Sequence, residues 1–208
     1  MKKTFLGVVV LCGCLLLTVS AFAGTYGFDD LTPFTVPPSG YAQIQTWNGS
    51  FEVINRDCCN GTQSGYWNNN ISPNNELFDP FGAPAQLGAK GDPTFTLTSF
   101  WTGAAWNDGE NLSIIGLFNG TQLFSTNVTI GTQTPTFVSL NWSGINEVDF
   151  TPSGGTNHGY NGSGEHFIID DLTINGSGGQ VPEPASLFLL GSGLVTLGGI
   201  ARKRMNKD

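Results

Sequence analysis

The chain of 208 residues has few charged side chains, and basic ones are the scarcest. Between Gly24 and Gln180 it has only Arg56 and Lys90 against 14 acidic residues, so this segment carries a net charge near −12. This charge excludes nucleic acid as a partner, because phosphates are held by lysine and arginine. It also opposes contact with anionic lipid headgroups and suits divalent cations or neutral polymers.

Cysteine is almost absent as well. Cys12 and Cys14 lie in an N-terminal apolar run, which leaves the adjacent Cys58 and Cys59 for the rest of the chain. Neighbouring Cα atoms are about 3.8 Å apart, closer than an ordinary disulfide requires. Three states stay open: a strained vicinal disulfide, an intermolecular link, or a pair of thiols. Zinc is not expected, because no histidine is near and zinc takes four ligands.

Motifs of common enzymes are missing too. The sequence has no G-x-S-x-G, no H-E-x-x-H and no phosphate-cradling loop. Glu110, Glu147 and Glu165 could supply the two opposed carboxylates of a glycoside hydrolase, but no motif selects a pair. His158 and His166 form no recognisable metal or nucleophile arrangement. The sequence therefore predicts a protein that is not an enzyme.

The N-terminus has the pattern of a signal peptide. Two lysines precede an apolar run over residues 5–19, and Ala21 and Ala23 follow with A-x-A spacing. Signal peptidase is therefore expected to remove residues 1–23. A lipoprotein-type cleavage box at residues 11–14 is the weaker alternative, because it would cut the apolar run short.

The C-terminus combines a helix-breaking motif, an apolar run and basic residues. In Val181-Pro182-Glu183-Pro184 both prolines disfavour helix, so a helix is expected to begin near residue 185. The apolar run 185–201 has 17 residues, the short end of a transmembrane helix. Arg202, Lys203 and Arg204 place the last residues, 205–208, on the cytoplasmic side. Residues 176–180 are rich in glycine and serine, which predicts a flexible linker.

These C-terminal residues resemble the PEP-CTERM sorting signal of Gram-negative bacteria. The motif, the apolar helix and the basic end occur in its order and spacing over residues 181–204. The resemblance implies processing near the motif by an exosortase, a membrane-embedded enzyme, in proteins that travel with exopolysaccharide and biofilm machinery. We therefore expect an exported protein that is held in the inner membrane and then reaches the cell surface or extracellular matrix. An ordinary single-pass anchor is the alternative.

The segment between the two ends, residues 24–175, has the pattern of an all-β domain. It is rich in glycine, asparagine and threonine, has no helical period, and shows short apolar runs between turn signals. This predicts a β-sandwich or jelly roll of about eight antiparallel strands. The predicted strands are 26–31, 51–55, 94–101, 111–118, 122–130, 135–142, 145–151 and 166–174.

Local signals differ in strength along this domain. Asn119-Gly120 predicts a two-residue hairpin turn. In the strand 94–101, Phe95, Leu97 and Trp101 are predicted to share one face. Residues 55–93 show no clear strand, so either strands are hidden near residues 66–67 and 85–89, or the stretch is a functional insertion.

The domain resembles one that is common among PEP-CTERM exported proteins. The resemblance rests on Phe28-Asp29-Asp30-Leu31, on residues 116–121 and on residues 167–172. The same segments are similar to jelly-roll carbohydrate-binding modules, a weaker likeness that concerns the fold plan.

Two acidic pairs, Asp29-Asp30 and Asp170-Asp171, lie in the first and last predicted strands. Those strands are commonly neighbours, and four carboxylates there would repel one another unless a hard cation neutralised them. A structural calcium in this region is what the resemblance implies. Because successive strand residues point to opposite faces, at most one member of each pair would ligate. The alternative is that each pair has one solvent-facing charge and one capped by backbone donors.

Tryptophans are the candidate glycan-binding residues. Trp101 and Trp142 fall on apolar strand faces and are predicted to lie in the core. Trp67 and Trp106 lie in glycine- and asparagine-rich stretches, and we predict them to be exposed, where aromatic rings stack on sugars. The alternative role for this pair is to anchor loops.

Together these patterns predict an exported, non-catalytic protein with a structural or adhesive role in exopolysaccharide. A carbohydrate-binding module with a structural calcium is the alternative, which exposure of Trp67 and Trp106 in one groove would favour. A jelly-roll glycoside hydrolase or lyase is a third possibility and requires two carboxylates facing each other across a cleft.

Overall fold

The computed structural model describes residues 23–47, 50–58 and 63–176, which form a β-sandwich. The prediction of an all-β sandwich is confirmed, but the described residues contain twelve strands rather than about eight. The strands are β1 (Ala23–Tyr26), β2 (Glu52–Asn55), β3 (Asn75–Phe78), β4 (Ala85–Gly88), β5 (Phe95–Ala104), β6 (Asn107–Asp108), β7 (Glu110–Phe118), β8 (Thr121–Ile130), β9 (Thr136–Ile145), β10 (Glu147–Ser153), β11 (Thr156–Asn157) and β12 (Phe167–Gly176). The helices are α1 (Gly65–Asn69) and a 3-10 turn at Tyr41–Gln43.

The predicted signal peptide, linker and transmembrane helix lie outside the described residues. Within the part of the chain that the structure describes, no helix has the length and apolar character to cross a membrane.

The strands form two main antiparallel sheets. The six-stranded sheet has the order β2-β3-β12-β5-β9, with β1 also paired to β12, and the four-stranded sheet has the order β4-β10-β7-β8. A separate two-stranded ribbon joins β6 and β11. The pairing of β1 with β12 confirms that the first and last strands are neighbours.

Large apolar side chains fill the space between the sheets. Phe150 of the four-stranded sheet lies at the centre, with its ring centroid 5.8 Å from the rings of Phe51, Phe100 and Phe167. These four side chains are fully buried. Burying so much aromatic surface contributes more to the stability of a sandwich than any single hydrogen bond.

The hairpin between β7 and β8 turns at Asn119-Gly120, as predicted. Phe118 and Thr121 are opposite each other in the ladder. Asn119 and Gly120 have φ angles of 51° and 79°, and a two-residue turn that matches the strand twist requires positive φ at both positions.

The prediction of a first strand over residues 26–31 is wrong. The strand β1 ends at Tyr26, and Phe28 has a φ of 62°, which no extended strand allows. The Leu31 N–H then donates to the Phe28 carbonyl and closes a turn. Asp29 and Asp30 therefore lie in this turn and not in a strand.

The side-chain alternation in β5 changes phase along the strand. Its pairing with β9 is irregular between Leu97 and Ser99, and a bulge of this kind shifts all later residues to the other face. As a result Phe100 is fully buried in the core. Trp101 lies on the outer face, where its ring centroid is 5.0 Å from that of Phe137. The prediction that Trp101 shares the core face of Leu97 is wrong, whereas Trp142 is buried as predicted.

The stretch 55–93 contains both strands and a helix. The strand expected near residues 85–89 is present as β4, whereas a strand at residues 66–67 is wrong, because these residues belong to α1. The helix covers the outer face of the six-stranded sheet. Beneath it lies a second apolar cluster, separate from the inter-sheet core, formed by Ile54, Tyr66, Phe78, Ala105, Trp106 and Ile168.

Candidate functional site

The helix α1 is short and depends on contacts with the sheet below it. The Ser64 hydroxyl accepts a hydrogen bond from the Trp67 N–H at 3.4 Å and caps the first turn. Gly65 lies directly on the end of β5, and its N–H donates to the Ala105 carbonyl at 2.8 Å. At the other end, the Asn69 amide donates to the Ala104 and Gly131 carbonyls. These contacts leave Trp67 and Asn68 on the outside of the helix.

The two predicted glycan-binding tryptophans lie in different environments. Trp67 is 42% exposed, and the Arg56 guanidinium carbon is 4.3 Å from its ring centroid. Trp106 is only 8% exposed, with its ring 5.4 Å from that of Tyr66 and perpendicular to it. Gly162 also lies against the Trp106 ring, at a point where a Cβ atom would be 2.5 Å away. The two rings therefore do not form one exposed groove, and Trp106 supports α1 from below.

A polar network continues the exposed surface from Trp67. The Asn68 amide donates to the Tyr160 hydroxyl at 2.9 Å and to the Thr132 carbonyl at 3.0 Å. The Gln133 amide donates to the same Tyr160 hydroxyl. The rings of Tyr160 and His158 lie 4.4 Å apart. The network thus joins α1 to the loops after β8 and β11.

An aspartate holds this network in place from β6. The Asp108 carboxylate contacts His158 Nδ1 at 2.5 Å and accepts hydrogen bonds from the Thr132 N–H and hydroxyl at 2.9 and 2.7 Å. The hydrogen bond from His158, followed by those from Thr132, lowers the pKa of Asp108 to about 2. Asp108 is therefore ionised at neutral pH and fixes both loops.

We call the resulting surface the Trp67 face. It combines aromatic rings with amide and imidazole groups that donate and accept hydrogen bonds, which is the composition of a site for a neutral polar ligand. Only Trp67 among its members was a sequence-predicted site residue. The Trp67 face consists of Arg56, Trp67, Asn68, Gln133, His158 and Tyr160.

The predicted calcium ligands of the first acidic pair are engaged by protein donors. Asp29 accepts hydrogen bonds from the Asn74 and Asn75 N–H groups at 2.8 and 2.9 Å. Asp30 accepts one from the Tyr41 hydroxyl at 2.7 Å. Both aspartates lie on the surface, in the turn after β1.

The second acidic pair divides between a buried and a half-buried residue. Asp170 is fully buried, and one oxygen accepts from the Ile71 and Ser72 N–H groups while the other accepts from the Ser72 hydroxyl and the Asp171 N–H. Burial, followed by the nearby charge of Asp29, raises the pKa of Asp171.

Asp29, Asp30 and Asp170 thus already have protein hydrogen-bond partners. A calcium ion bound through at most one member of each pair stays a prediction, as does the alternative in which backbone donors cap one charge of each pair. Glu76, which sequence reasoning missed, is fully buried in the neighbouring strand, close to the Asn70 amide and the Asp170 carboxylate. Burial and the Asp170 carboxylate raise the pKa of Glu76.

The remaining sequence candidates are not brought together. Cys58 is half-buried against the second cluster, and Cys59 lies outside the described residues, so the state of this pair stays a prediction. Glu147 is bonded to the Gln86 amide on the four-stranded sheet. Within residues 23–47, 50–58 and 63–176, no three His, Cys, Asp or Glu side chains form a group suited to a metal ion.

Comparison with known proteins identifies the C-terminal segment. Residues 180–204 match the PEP-CTERM protein-sorting motif, which covers Val181–Pro184 and Arg202–Arg204. The motif implies an exported protein that is anchored at the membrane before processing. No curated protein matches the chain in sequence.

Solved structures with a similar fold are remote in sequence. CBM51 from Clostridium perfringens GH95, in complex with methyl-galactose, has 13% identity and a TM-score of 0.36, covering 73% of this chain and 99% of that one. TmCBM61, in complex with beta-1,4-galactotriose, has 10% identity and a TM-score of 0.33, covering 69% and 97%. The K2 cleaved adhesin domain of Lys-gingipain has 14% identity and a TM-score of 0.38, covering 74% and 97%.

Proposed function

We propose that this chain is an exported protein of the cell surface or extracellular matrix whose sandwich binds a neutral polysaccharide through the Trp67 face. Signal peptidase removes residues 1–23, the C-terminal segment holds the chain in the inner membrane, and an exosortase then processes it near Val181–Pro184. The sorting motif supports the route, and the exposure of Trp67 beside a fixed polar network supports the binding role.

The chemistry of the Trp67 face suits sugar rings. An exposed indole packs against the C–H face of a sugar, and amide and hydroxyl groups at its edge bond the sugar hydroxyls. Arg56 covers part of the Trp67 ring, which leaves the rest for a ligand. The large negative charge of residues 24–180 favours a neutral polymer over an anionic one.

Catalysis is not part of this proposal. Glycoside hydrolysis needs two carboxylates that reach opposite sides of one sugar bond. Glu110 and Glu165 are near enough for Glu165 to raise the pKa of Glu110, but Glu110 is fully buried and cannot contact a polysaccharide. We therefore propose a structural or adhesive role.

Replacing Trp67 with alanine tests the binding role. We expect affinity for the host's own exopolysaccharide to fall about tenfold or more, because an exposed aromatic anchor carries a large share of such binding. Stability should change little, since Trp67 is 42% exposed. Binding is measured by affinity electrophoresis, and stability by thermal unfolding.

Phe137→Ala is the matched control. Phe137 is 53% exposed, packs on Trp101 and is not a member of the Trp67 face. This variant should bind like the unmodified protein. Loss of binding in Phe137→Ala with normal binding in Trp67→Ala would show that the ligand binds beside Trp101 and Phe137. That result would refute the Trp67 face as the binding site.

A further inference from the structure

Glu110 is a buried acid on a core-facing strand position. It is the first residue of β7, on the same face as the core residues Leu112 and Ile114. Its side chain is fully buried, and neither carboxylate oxygen has a hydrogen-bond partner. Burying a carboxyl group without partners is costly, so native structures almost always supply a hydrogen bond, a water or an ion.

Two further acids lie at this end of the sandwich. Glu165, just before β12, accepts a hydrogen bond from the Gly154 N–H at 2.5 Å. Asp79, just after β3, is buried and accepts from the Phe81 and Ala83 N–H groups. After burial itself, the charges of Glu165 and Asp79 are what raise the pKa of Glu110 to about 8.

Basic side chains do not balance these acids. Between Gly24 and Gln180 the lysine and arginine residues are Arg56 and Lys90. Arg56 stacks on the Trp67 ring, and the positive charge of Lys90 opposes the rise in the pKa of Glu147. His166 is turned to the Asp79 backbone, where its Nδ1 contacts the carbonyl oxygen at 2.8 Å. Among the described residues, neither a cationic side chain nor a hydrogen-bond donor therefore pairs with the Glu110 carboxyl group.

Backbone oxygens lie near the main chain of Glu110. The turn at Gly155 lies against β7, since a Cβ atom built on Gly155 would be 3.0 Å from the Glu110 nitrogen and 3.1 Å from the Asp108 carbonyl oxygen. The Gly154 carbonyl in the same turn accepts from the Asn107 amide. Carboxylate and carbonyl oxygens together are the usual ligands of Ca²⁺, which tolerates irregular geometry, whereas Mg²⁺ requires a regular octahedron.

We propose that Glu110 and Glu165 bind a calcium ion at this end of the sandwich, with backbone carbonyls and water completing its shell. The ion would tie the start of β7 to the loop that precedes β12. This site is separate from the acidic pairs at Asp29 and Asp170, where the buried glutamate is Glu76.

Thermal unfolding with added calcium chloride tests this site. The full chain, purified in mild detergent and freed of metal with EDTA, is compared with Glu110→Gln, which keeps the shape of the side chain without the charge. We expect calcium at about a hundred times its Kd to raise the Tm of the unmodified protein by roughly 5–10 °C and to leave that of Glu110→Gln unchanged.

Glu76→Gln is the matched control, because it makes the same change at another fully buried glutamate. It should keep the full calcium response. Glu165 is less buried than Glu110, and Glu165→Gln should weaken the calcium affinity about tenfold. This variant provides a second test if Glu110→Gln does not fold. No response in the unmodified protein, an unchanged affinity in Glu165→Gln, or a response lost in Glu76→Gln and kept in Glu110→Gln would each overturn the proposal.

Discussion

Gly65→Ala is expected to destabilise the protein by about 3 kcal/mol and to abolish polysaccharide binding. A Cβ atom at position 65 would lie 1.8 Å from the Ala104 carbonyl oxygen and 2.7 Å from the Ala105 Cα. Both atoms belong to the backbone at the end of β5, which cannot move without breaking the ladder. The helix α1 must therefore lift from the sheet and carry Trp67 away with it. Urea unfolding and binding to the host's exopolysaccharide measure the two effects.

Gly131→Ala is the control for this experiment. Gly131 lies in the same region. A Cβ atom added at Gly131 would be 3.5 Å from the Asp108 carboxylate, which is an ordinary contact distance. We expect a change of less than about 1 kcal/mol and normal binding. If Gly65→Ala were as stable as Gly131→Ala, the result would contradict the close packing of α1 on the end of β5.

Changing Pro182, Glu183 and Pro184 together to alanine is expected to stop nearly all processing of the chain. The two prolines of this motif disfavour helix. With three alanines, the helix expected over residues 185–201 would extend into the motif and hide the backbone that a processing enzyme must reach. The unprocessed chain should then accumulate in the inner membrane. Intact-mass measurement of membrane and released fractions reads out the result.

Gly178 and Gly179, both changed to alanine, provide the control, because they lie in the predicted linker just before the matched motif. This variant should be processed like the unmodified chain. Release of the triple-alanine variant at the normal rate would show that the Pro-Glu-Pro sequence is not what the enzyme recognises.

Local patterns predicted the regular part of the fold. Short apolar runs and the Asn119-Gly120 turn were enough to place β7 and β8, because each signal depends on residues that are adjacent in the chain. By contrast, β3 is buried at all four positions, since α1 covers the outer face of its sheet. A four-residue strand without alternation has no period to detect. The bulge that turned Trp101 outward likewise depends on pairing with β9 and has no local signal.

The candidate site was only partly predictable. The glycine- and asparagine-rich surroundings indicated that Trp67 would be exposed, but the same pattern failed for Trp106, which Gly162 and Tyr66 cover. Asn68 and Tyr160 are 92 residues apart in the chain and meet only in the folded sandwich. No motif could have joined them. Glu110 and Glu76 were also beyond local reasoning, because their burial depends on the packing of other elements around them.

The central claim is that the processed protein resides with extracellular polysaccharide. Its most direct test is the intact mass of the protein that copurifies with exopolysaccharide from the host. We predict a chain that lacks residues 1–23 and the segment after the Pro-Glu-Pro motif. Recovery of the protein only as a full-length chain in the inner membrane, with none on the polysaccharide, would contradict the account.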